Sequence, residues 1–106
     1  MNDEPTEITE HGTKIWKNSK GHAHRDGDLP AIIWSGSSCF WAQNGNPHRD
    51  NNLPAEILKN GRCQWWINSK FIKEEQCTKE QIEEYKKPYY QQKRFIKFNR
   101  FEKLIK

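Results

Sequence analysis

Long apolar runs are missing from this sequence of 106 residues, of which 33% are apolar. Because a transmembrane helix needs roughly 20 consecutive apolar residues, we expect no membrane span. The first residues, Met1 to Pro5, carry neither the basic cluster nor the apolar segment of a secretory signal. These absences predict a soluble protein of the cytoplasm.

Cysteine is scarce, with three in the chain. In a chain without an export signal, we expect Cys39, Cys63 and Cys77 to be reduced and packed as small apolar side chains. Imidazole and thiolate suit zinc, but no cysteine pair has the spacing of a zinc motif, and His22 with His24 is a weak signal. The glycine patterns of P-loop and dinucleotide-binding proteins are also missing, so we expect no metal and no cofactor.

A repeated phrase organises the rest of the chain, as HRDGDLPA at residues 24–31 and HRDNNLPA at residues 48–55. Six of the eight positions are identical and the copies lie 24 residues apart. A fixed short period is the mark of a repeat protein. With one residue of slack a third unit aligns, so we predict a repeat array over residues 5–77 and a separate tail over residues 78–106.

Charge divides the chain at the same place. Residues 1–77 hold nine Lys or Arg and ten Asp or Glu, a net charge of −1. Residues 78–106 hold nine and four, a net charge of +5. All five tryptophans lie between Trp16 and Trp66, so the aromatic residues and the basic charge belong to different parts of the chain.

Each unit has the pattern of a β-hairpin followed by a return loop. Runs of β-branched and aromatic residues flank predicted turns at residues 11–12, 35–36 and 60–61. We expect Gly36 to take a positive φ, and Asn60 with Gly61 to form a two-residue type I′ turn. Second turns are predicted at residues 18–20, 44–45 and 68–70.

Stacking of the hairpins is required, because a two-stranded hairpin is marginally stable alone. A strict period predicts two ladders of stacked side chains, one of Trp16, Phe40 and Trp65, and one of Ile8, Ile33 and Ile57. The predicted fold class is mainly β with C-terminal α: three consecutive antiparallel hairpins that form a twisted repeat sheet, followed by one or two helices. The first hairpin is the most polar and is expected at an edge.

The repeated phrase has a structural interpretation. We expect Asp26 and Asp50 to accept backbone N–H groups in turns. Arg25 and Arg49 are expected on tryptophan faces, in cation–π contacts worth about 0.5–2 kcal/mol each. His-Arg-Asp also opens the catalytic loop of protein kinases, but the remaining kinase motifs are missing and the chain is too short, so we predict no enzyme.

The pattern of Trp, Asn-Gly, His-Arg-Asp and Pro-Ala resembles the MORN-like repeats. It is closest to the variant with a His-Arg-(Asp or Glu)-Gly-Pro-Ala core that occurs in small proteins of bacteriophages, large DNA viruses and some bacteria. The resemblance covers residues 5 to about 72, and this chain departs from it by Leu before Pro and by a third unit that lacks His-Arg-Asp. It implies an elongated sheet used for binding or scaffolding, without a shared catalytic activity.

The tail has a helical pattern. Thr78 and Gln81 have the spacing of a capping box, which predicts a helix from about residue 79. Pro88 should end this helix or begin another. Apolar residues then recur every three or four positions in a basic amphipathic helix, whose apolar face we expect to pack on the array: Phe95, Phe98, Phe101 and Ile105.

Three functional classes remain. We favour a protein-binding module, because Trp and Arg are enriched at interface hot spots, with candidate residues Arg25, Trp34, Trp41, Arg49 and Trp66. The alternative is binding of nucleic acid or an acidic partner through residues 86–106, with candidate residues Tyr89, Tyr90, Lys93, Arg94, Lys97, Arg100 and Lys103. A peripheral membrane adaptor is disfavoured, because that helix lacks Trp and is densely charged.

The resemblance and the small size favour one form of the first class. In this form the protein is a phage- or virus-encoded accessory protein that binds and modulates a host protein, as an inhibitor or anti-defence factor would. This expectation rests on analogy with the repeat family.

Overall fold

The computed structural model describes residues 4–91, which form an antiparallel β-structure followed by two short helices. The strands and helices lie in the following order along the chain: β1 (Glu7–Ile8), β2 (Lys14–Ile15), β3 (Ile32–Ile33), β4 (Cys39–Phe40), β5 (Ala42–Gln43), β6 (Asn46–Pro47), β7 (Glu56–Ile57), β8 (Arg62–Ile67), β9 (Lys70–Gln76), α1 (Lys79–Tyr85) and α2 (87–91).

Seven strands form one antiparallel sheet in the order β1-β2-β3-β4-β7-β8-β9. Its pairs β1-β2, β3-β4 and β7-β8 are the three predicted hairpins, and they neighbour each other in chain order. The strands β5 and β6 form a separate two-stranded ribbon. The predicted fold class is therefore confirmed, with the polar first hairpin at an edge.

The three hairpin turns share one backbone geometry. Each closes with a hydrogen bond from the fourth turn residue to the first, as from Gly61 N to Leu58 O at 2.9 Å. The fourth residue has a positive φ in every case: 90° at Gly12, 79° at Ser37 and 91° at Gly61. The expectation of a positive φ at Gly36 is therefore wrong, because the equivalent position is Ser37.

The Asn60-Gly61 turn also differs from the prediction. A type I′ turn requires a positive φ at both central residues, and Asn60 does not have one. Positive φ at two successive residues occurs instead in the second turns, with 54° and 83° at residues 44–45 and 47° and 68° at residues 68–69. The predicted positions of the second turns are confirmed.

The first unit has one extra residue in its second turn. There Gly21 N bonds to Asn18 O at 2.9 Å, and three residues (19–21) lie between the paired Asn18 and His22. In the second unit two residues (44–45) lie between the paired Gln43 and Asn46. Trp41 consequently follows Trp16 by 25 residues, whereas Trp65 follows Trp41 by 24. The predicted ladder was wrong at its middle position, because Trp41 and not Phe40 is equivalent to the other two tryptophans.

Two rows of cross-strand partners define the faces of the sheet. The inner face carries the row Ile8, Lys14, Ile33, Cys39, Ile57, Cys63 and Glu75. The outer face carries the row Glu7, Ile15, Ile32, Phe40, Glu56, Gln64 and Glu74. The predicted equivalence of Ile8, Ile33 and Ile57 is confirmed by these registers.

The core lies between the inner face and α1. Its buried residues include Trp41, Ile57 and Trp65, and Ile82 and Tyr85 of α1 pack against them. Cys39, Cys63 and Cys77 are buried thiols that form no disulfide, as predicted. The array and the start of the tail therefore share one core.

The predicted capping box begins α1. Thr78 accepts the backbone N–H of Gln81, whose side chain in turn accepts the backbone N–H of Thr78. Pro88 lies in the first turn of α2, where its missing N–H has no helical partner to lose. Neither helix in this part of the chain has the length or apolar composition needed to cross a bilayer. The predicted apolar face of Phe95, Phe98, Phe101 and Ile105 lies outside the described residues.

We predict that Ser37→Gly stabilises the protein. Glycine takes a positive φ without the steric cost that a β-carbon adds. The change should raise the free energy of unfolding by roughly 0.5–1 kcal/mol in urea titrations. The Ser37 carbonyl, which accepts from Lys86, is retained.

Gly61→Ala is the matched control at the equivalent turn position. A β-carbon there would lie 2.7 Å from Gln76 Nε2 and 3.2 Å from the Cys77 carbonyl. This substitution should destabilise the protein by about 1–3 kcal/mol. An unchanged or lower stability for Ser37→Gly would contradict the shared turn geometry.

Candidate binding surface

Two units place an arginine over a tryptophan of the same unit. The guanidinium carbon of Arg25 lies 3.8 Å from the Trp16 ring centre, and that of Arg49 lies 3.9 Å from the Trp41 ring centre. Both arginines are buried, with exposed fractions of 6% and 2%. The prediction that Arg25 and Arg49 occupy equivalent positions on aromatic rings is confirmed.

The third unit keeps this arrangement with a lysine that the sequence analysis missed. The Nζ of Lys73 lies 4.5 Å from the Trp65 ring centre. Lys73 follows Arg49 by 24 residues and follows Trp65 by eight, the same spacing that separates Trp41 from Arg49. This shared spacing is the signal that could have identified Lys73 from the sequence.

Arg49 connects three parts of the chain. Its Nε and Nη2 donate to the two carboxylate oxygens of Asp28, in the first copy of the phrase, at 2.8 and 3.2 Å. Its Nη1 donates to the Pro54 carbonyl at 3.1 Å, and Nη2 also donates to the Tyr85 carbonyl of α1 at 2.6 Å. A buried guanidinium is costly unless its donors are satisfied, so this network holds the two loops and α1 in one arrangement.

The histidines of the phrase join each unit to the next. The Nδ1 atoms of His24 and His48 accept the backbone N–H groups of Asn44 and Asn68, each at 3.0 Å. These donors belong to the second turn of the following unit. An acceptor Nδ1 places the proton of a neutral imidazole on Nε2. The histidines therefore have a defined structural role in stacking the units.

Asp26 and Asp50 do not bind backbone donors among the described residues, which corrects the prediction. Their carboxylates lie 3.1 and 2.8 Å from the Nε2 atoms of the histidines two residues earlier. The side chains of Asp26 and Asp50 are 87% and 77% exposed. Because ion pairs and hydrogen bonds at exposed sites contribute little, neither carboxylate is central to the fold.

The candidate protein-binding residues divide into two groups. Arg25, Trp41 and Arg49 are buried within the chain, so they support the fold and could not reach a partner without rearrangement. Trp34 is exposed, and Trp66 is partly buried. A direct contact role therefore stays a prediction for Trp34 and Trp66, and burial of the other three corrects their assignment as contact residues.

The outer face presents two pairs of aromatic rings. Trp34 and Phe40 lie 6.1 Å apart between ring centres, and Trp66 meets Phe71 edge to face at 5.3 Å. The exposed fraction is 36% for Trp34 and 49% for Phe71. Of the two helices, α1 packs against the inner face, and α2 lines a groove that also includes Trp34.

Two carboxylates lie in the outer row beside the aromatic pairs. Gln64 lies opposite Glu56 on one side and Glu74 on the other, and its Nε2 donates to Glu74 Oε1 at 2.8 Å. Burial, with a smaller contribution from the charge of Glu74, raises the pKa of the Glu56 carboxyl above its ordinary value. The outer face therefore combines exposed aromatic surface with carboxylates of which one is partly desolvated.

The cysteines show no sign of thiolate chemistry. Burial, together with a hydrogen bond from the Cys63 thiol to the neighbouring Cys77, raises the pKa of Cys63 to about 12. A thiol with this pKa is protonated and a weak nucleophile at neutral pH. Among residues 4–91, no three His, Cys, Asp or Glu side chains lie together as metal ligands would.

The candidate nucleic-acid residues are mostly outside the described residues. Lys93, Arg94, Lys97, Arg100 and Lys103 all lie there. Tyr89 and Tyr90 of α2 are half-buried, with ring centres 5.7 Å apart, and burial raises the pKa of both phenols. Their partial burial on the inner side of the array leaves less ring surface for stacking on bases.

Comparison with known proteins finds no family model, no curated protein and no solved structure that matches this chain. The resemblance to MORN-like repeats therefore stays a prediction from the sequence.

We predict unequal effects of Asp28→Asn and Asp50→Asn. Asp28 neutralises the buried Arg49, so its replacement should lower the free energy of unfolding by about 2–4 kcal/mol. Asn tolerates the positive φ of 57° at this position, as Asn52 does at the equivalent one, so backbone strain does not contribute. Asp50→Asn should cost less than about 0.5 kcal/mol. Equal losses in urea titrations would contradict the assigned roles.

We predict that Glu56→Gln makes the protein more stable at neutral pH. A carboxyl whose pKa is raised in the folded state favours folding while protonated. That contribution is complete below the ordinary value of 4.5 and is lost as the pH rises through the raised pKa. Thermal melts should therefore show an advantage for Glu56→Gln at pH 7 that disappears below about pH 4. A constant difference across this window would contradict the assignment.

Proposed function

We propose that this protein is a small non-enzymatic binding module whose outer face contacts a protein partner. The observation that carries the proposal is the contrast between the two faces of the sheet. The inner face is packed by α1, whereas the outer face exposes Trp34 and Phe71 next to their partly buried ring partners. Aromatic side chains of this kind are the residues that dominate binding energy at protein interfaces.

Rigidity of the scaffold supports the same proposal. Trp41 Nε1 donates to the Asp28 carbonyl and Trp65 Nε1 to the Asn52 carbonyl, each at 3.0 Å. These bonds fix the loops that follow each hairpin, so the outer aromatic rings are held by a sheet of defined register. A pre-organised surface loses less conformational entropy when it binds.

The outer face also has a polarity suited to selectivity. In the outer row Glu56 lies between Phe40 and Gln64, whereas Glu74 lies on the edge strand, 3.9 Å from Arg62 Nε. A partner with a basic group near Glu56 would compensate the charge of this carboxylate. A partner with an acidic group there would be rejected, because like charges brought together at an interface cost several kcal/mol. We therefore propose an apolar partner surface that carries a central lysine or arginine.

The partner class follows from the repeat resemblance. We propose that the module is a viral or phage accessory protein that acts on a host protein in the host-cell cytoplasm. Nucleic-acid binding through residues 86–106 is the rival, and the residues 4–91 offer it no net charge, with twelve Lys or Arg and twelve Asp or Glu. These residues therefore add no net positive charge to that of the tail for the attraction of phosphates.

We predict that Phe71→Ser abolishes partner capture. Tagged wild-type protein should retain a protein from bacterial lysate, and Phe71→Ser should weaken binding of the purified partner by at least about 30-fold, the effect of one hot-spot residue. Ile8→Ser is the matched control, because Ile8 is 61% exposed but belongs to the inner row. Equal retention by wild type and Phe71→Ser, or equal loss with Ile8→Ser, would contradict binding through the outer face.

A further inference from the structure

A second surface feature lies on the inner side of the sheet, where α2 crosses the first two hairpins. A groove of about 390 Å³ opens there between the helix and the strands. Its walls include two lysines and two tyrosines but no Asp or Glu from the described residues. Among the lining residues are Lys14, Ile33, Ser37, Lys86, Tyr89 and Tyr90.

Lys86 is the unusual member of this group. It is 9% exposed, and its Nζ donates to the Ser37 carbonyl at 3.3 Å. In the part of the chain that the structure describes, no carboxylate lies within ion-pair distance of this ammonium. An ammonium has three donors and is costly to bury without an opposite charge. The fold thus holds a desolvated positive charge at the wall of an open groove.

The rest of the groove is suited to an anion with an attached side chain. Lys14 is exposed and adds a second positive charge. Burial raises the pKa of the Tyr89 and Tyr90 phenols, so their hydroxyl groups stay protonated and can donate hydrogen bonds. Ile33 adds an apolar wall, which a methylene stem or an aromatic ring of the occupant would cover.

We propose that this groove binds an acidic peptide segment of the partner protein, with one carboxylate placed on the Lys86 ammonium. The inference rests on the proposed function, because the acidic segment belongs to the bound protein. It assigns that protein a second contact, in the groove beside α2, whose lining also includes Trp34 of the first outer aromatic pair.

A peptide carboxylate is favoured over a nucleic-acid backbone by the number and placement of the charges. Two lysines line the groove, and the residues 4–91 as a whole are neutral. Nucleic-acid binding is built from many phosphate contacts along an extended basic track. A single buried ammonium beside tyrosine hydroxyls instead matches one carboxylate at a time, through a charge-assisted hydrogen bond.

The test is a titration of the full-length, ¹⁵N-labelled protein followed by NMR. The probe is a short capped peptide of alternating glutamate and tyrosine, and its counterpart carries glutamine in place of every glutamate. The acidic peptide should give saturable shifts at the amides of Gly12, Ser37 and Lys86. The glutamine peptide should bind at least about tenfold more weakly, because it cannot form the charge-assisted bond.

Lys86→Met and Lys87→Met distinguish binding of the peptide in the groove from nonspecific attraction to exposed basic residues. Methionine has a similar length without charge, so Lys86→Met should weaken the acidic peptide by at least about tenfold. It should not lower the thermal midpoint, because it removes a buried charge that lacks a counter-ion. Lys87 is exposed and does not line the groove, so Lys87→Met should leave the affinity unchanged. Lys86→Arg, which keeps the charge, should retain most of the binding.

Four results would overturn the inference: no saturable shifts at millimolar acidic peptide, equal affinity for the glutamine peptide, indifference to Lys86→Met, or displacement of the peptide by a single-stranded oligonucleotide at lower concentration. The last would favour nucleic acid as the occupant. Partner capture that depends on Phe71 while the peptide titration fails would leave the proposed function standing without the groove. Peptide binding in the groove, combined with partner capture that does not depend on Phe71, would support the groove and contradict partner binding through the outer face.

Discussion

The contacts made by the buried guanidinium of Arg49 are the interactions on which the rest of the structure depends. One face of it lies on Trp41, and its edges bond Asp28, the Pro54 carbonyl and the Tyr85 carbonyl. Any partner left out would leave a buried donor unpaired, at a cost of about 1–3 kcal/mol or more for a charged group. The network therefore specifies one relative position for the first loop, the second loop and α1, beyond whatever net stability it supplies.

This network explains how very short strands form a stable sheet. Seven of the nine strands that precede α1 are two residues long, and a two-residue pair closes few hydrogen bonds. Stability must come from side chains that cross between units. Histidine Nδ1 atoms bonded to the next turn and tryptophan Nε1 atoms bonded to the preceding loop supply these links. The repeated phrase is therefore an assembly element, and its arginine, proline and alanine are buried in both copies.

Because the repeated phrase joins the repeat units to each other, the residues that we propose for partner binding lie outside it. The Lys86 groove lies where α2 docks and shares Trp34 with the outer aromatic pairs, and neither surface includes a histidine, arginine or aspartate of the phrase. The sequence analysis named Arg25 and Arg49 as candidate contact residues. Both are buried on tryptophan rings, so their repetition reflects packing within and between the units. The residues that we propose as partner contacts, such as Phe71 and Lys86, lie outside the repeated phrase.

The sequence by itself determined the repeat period, the three hairpins and the helix that begins after Thr78, because these follow from spacing and from local turn and capping chemistry. It also determined the placement of Arg25 and Arg49 on aromatic rings, because that placement follows from the repeat spacing. Tertiary structure decided the register. One extra residue in the turn at residues 18–21 made Trp41 the partner of Trp16, and a strict period could not locate that residue. It also decided which face is covered and which lysine is buried, because both depend on where α1 and α2 dock, and local patterns do not encode that docking.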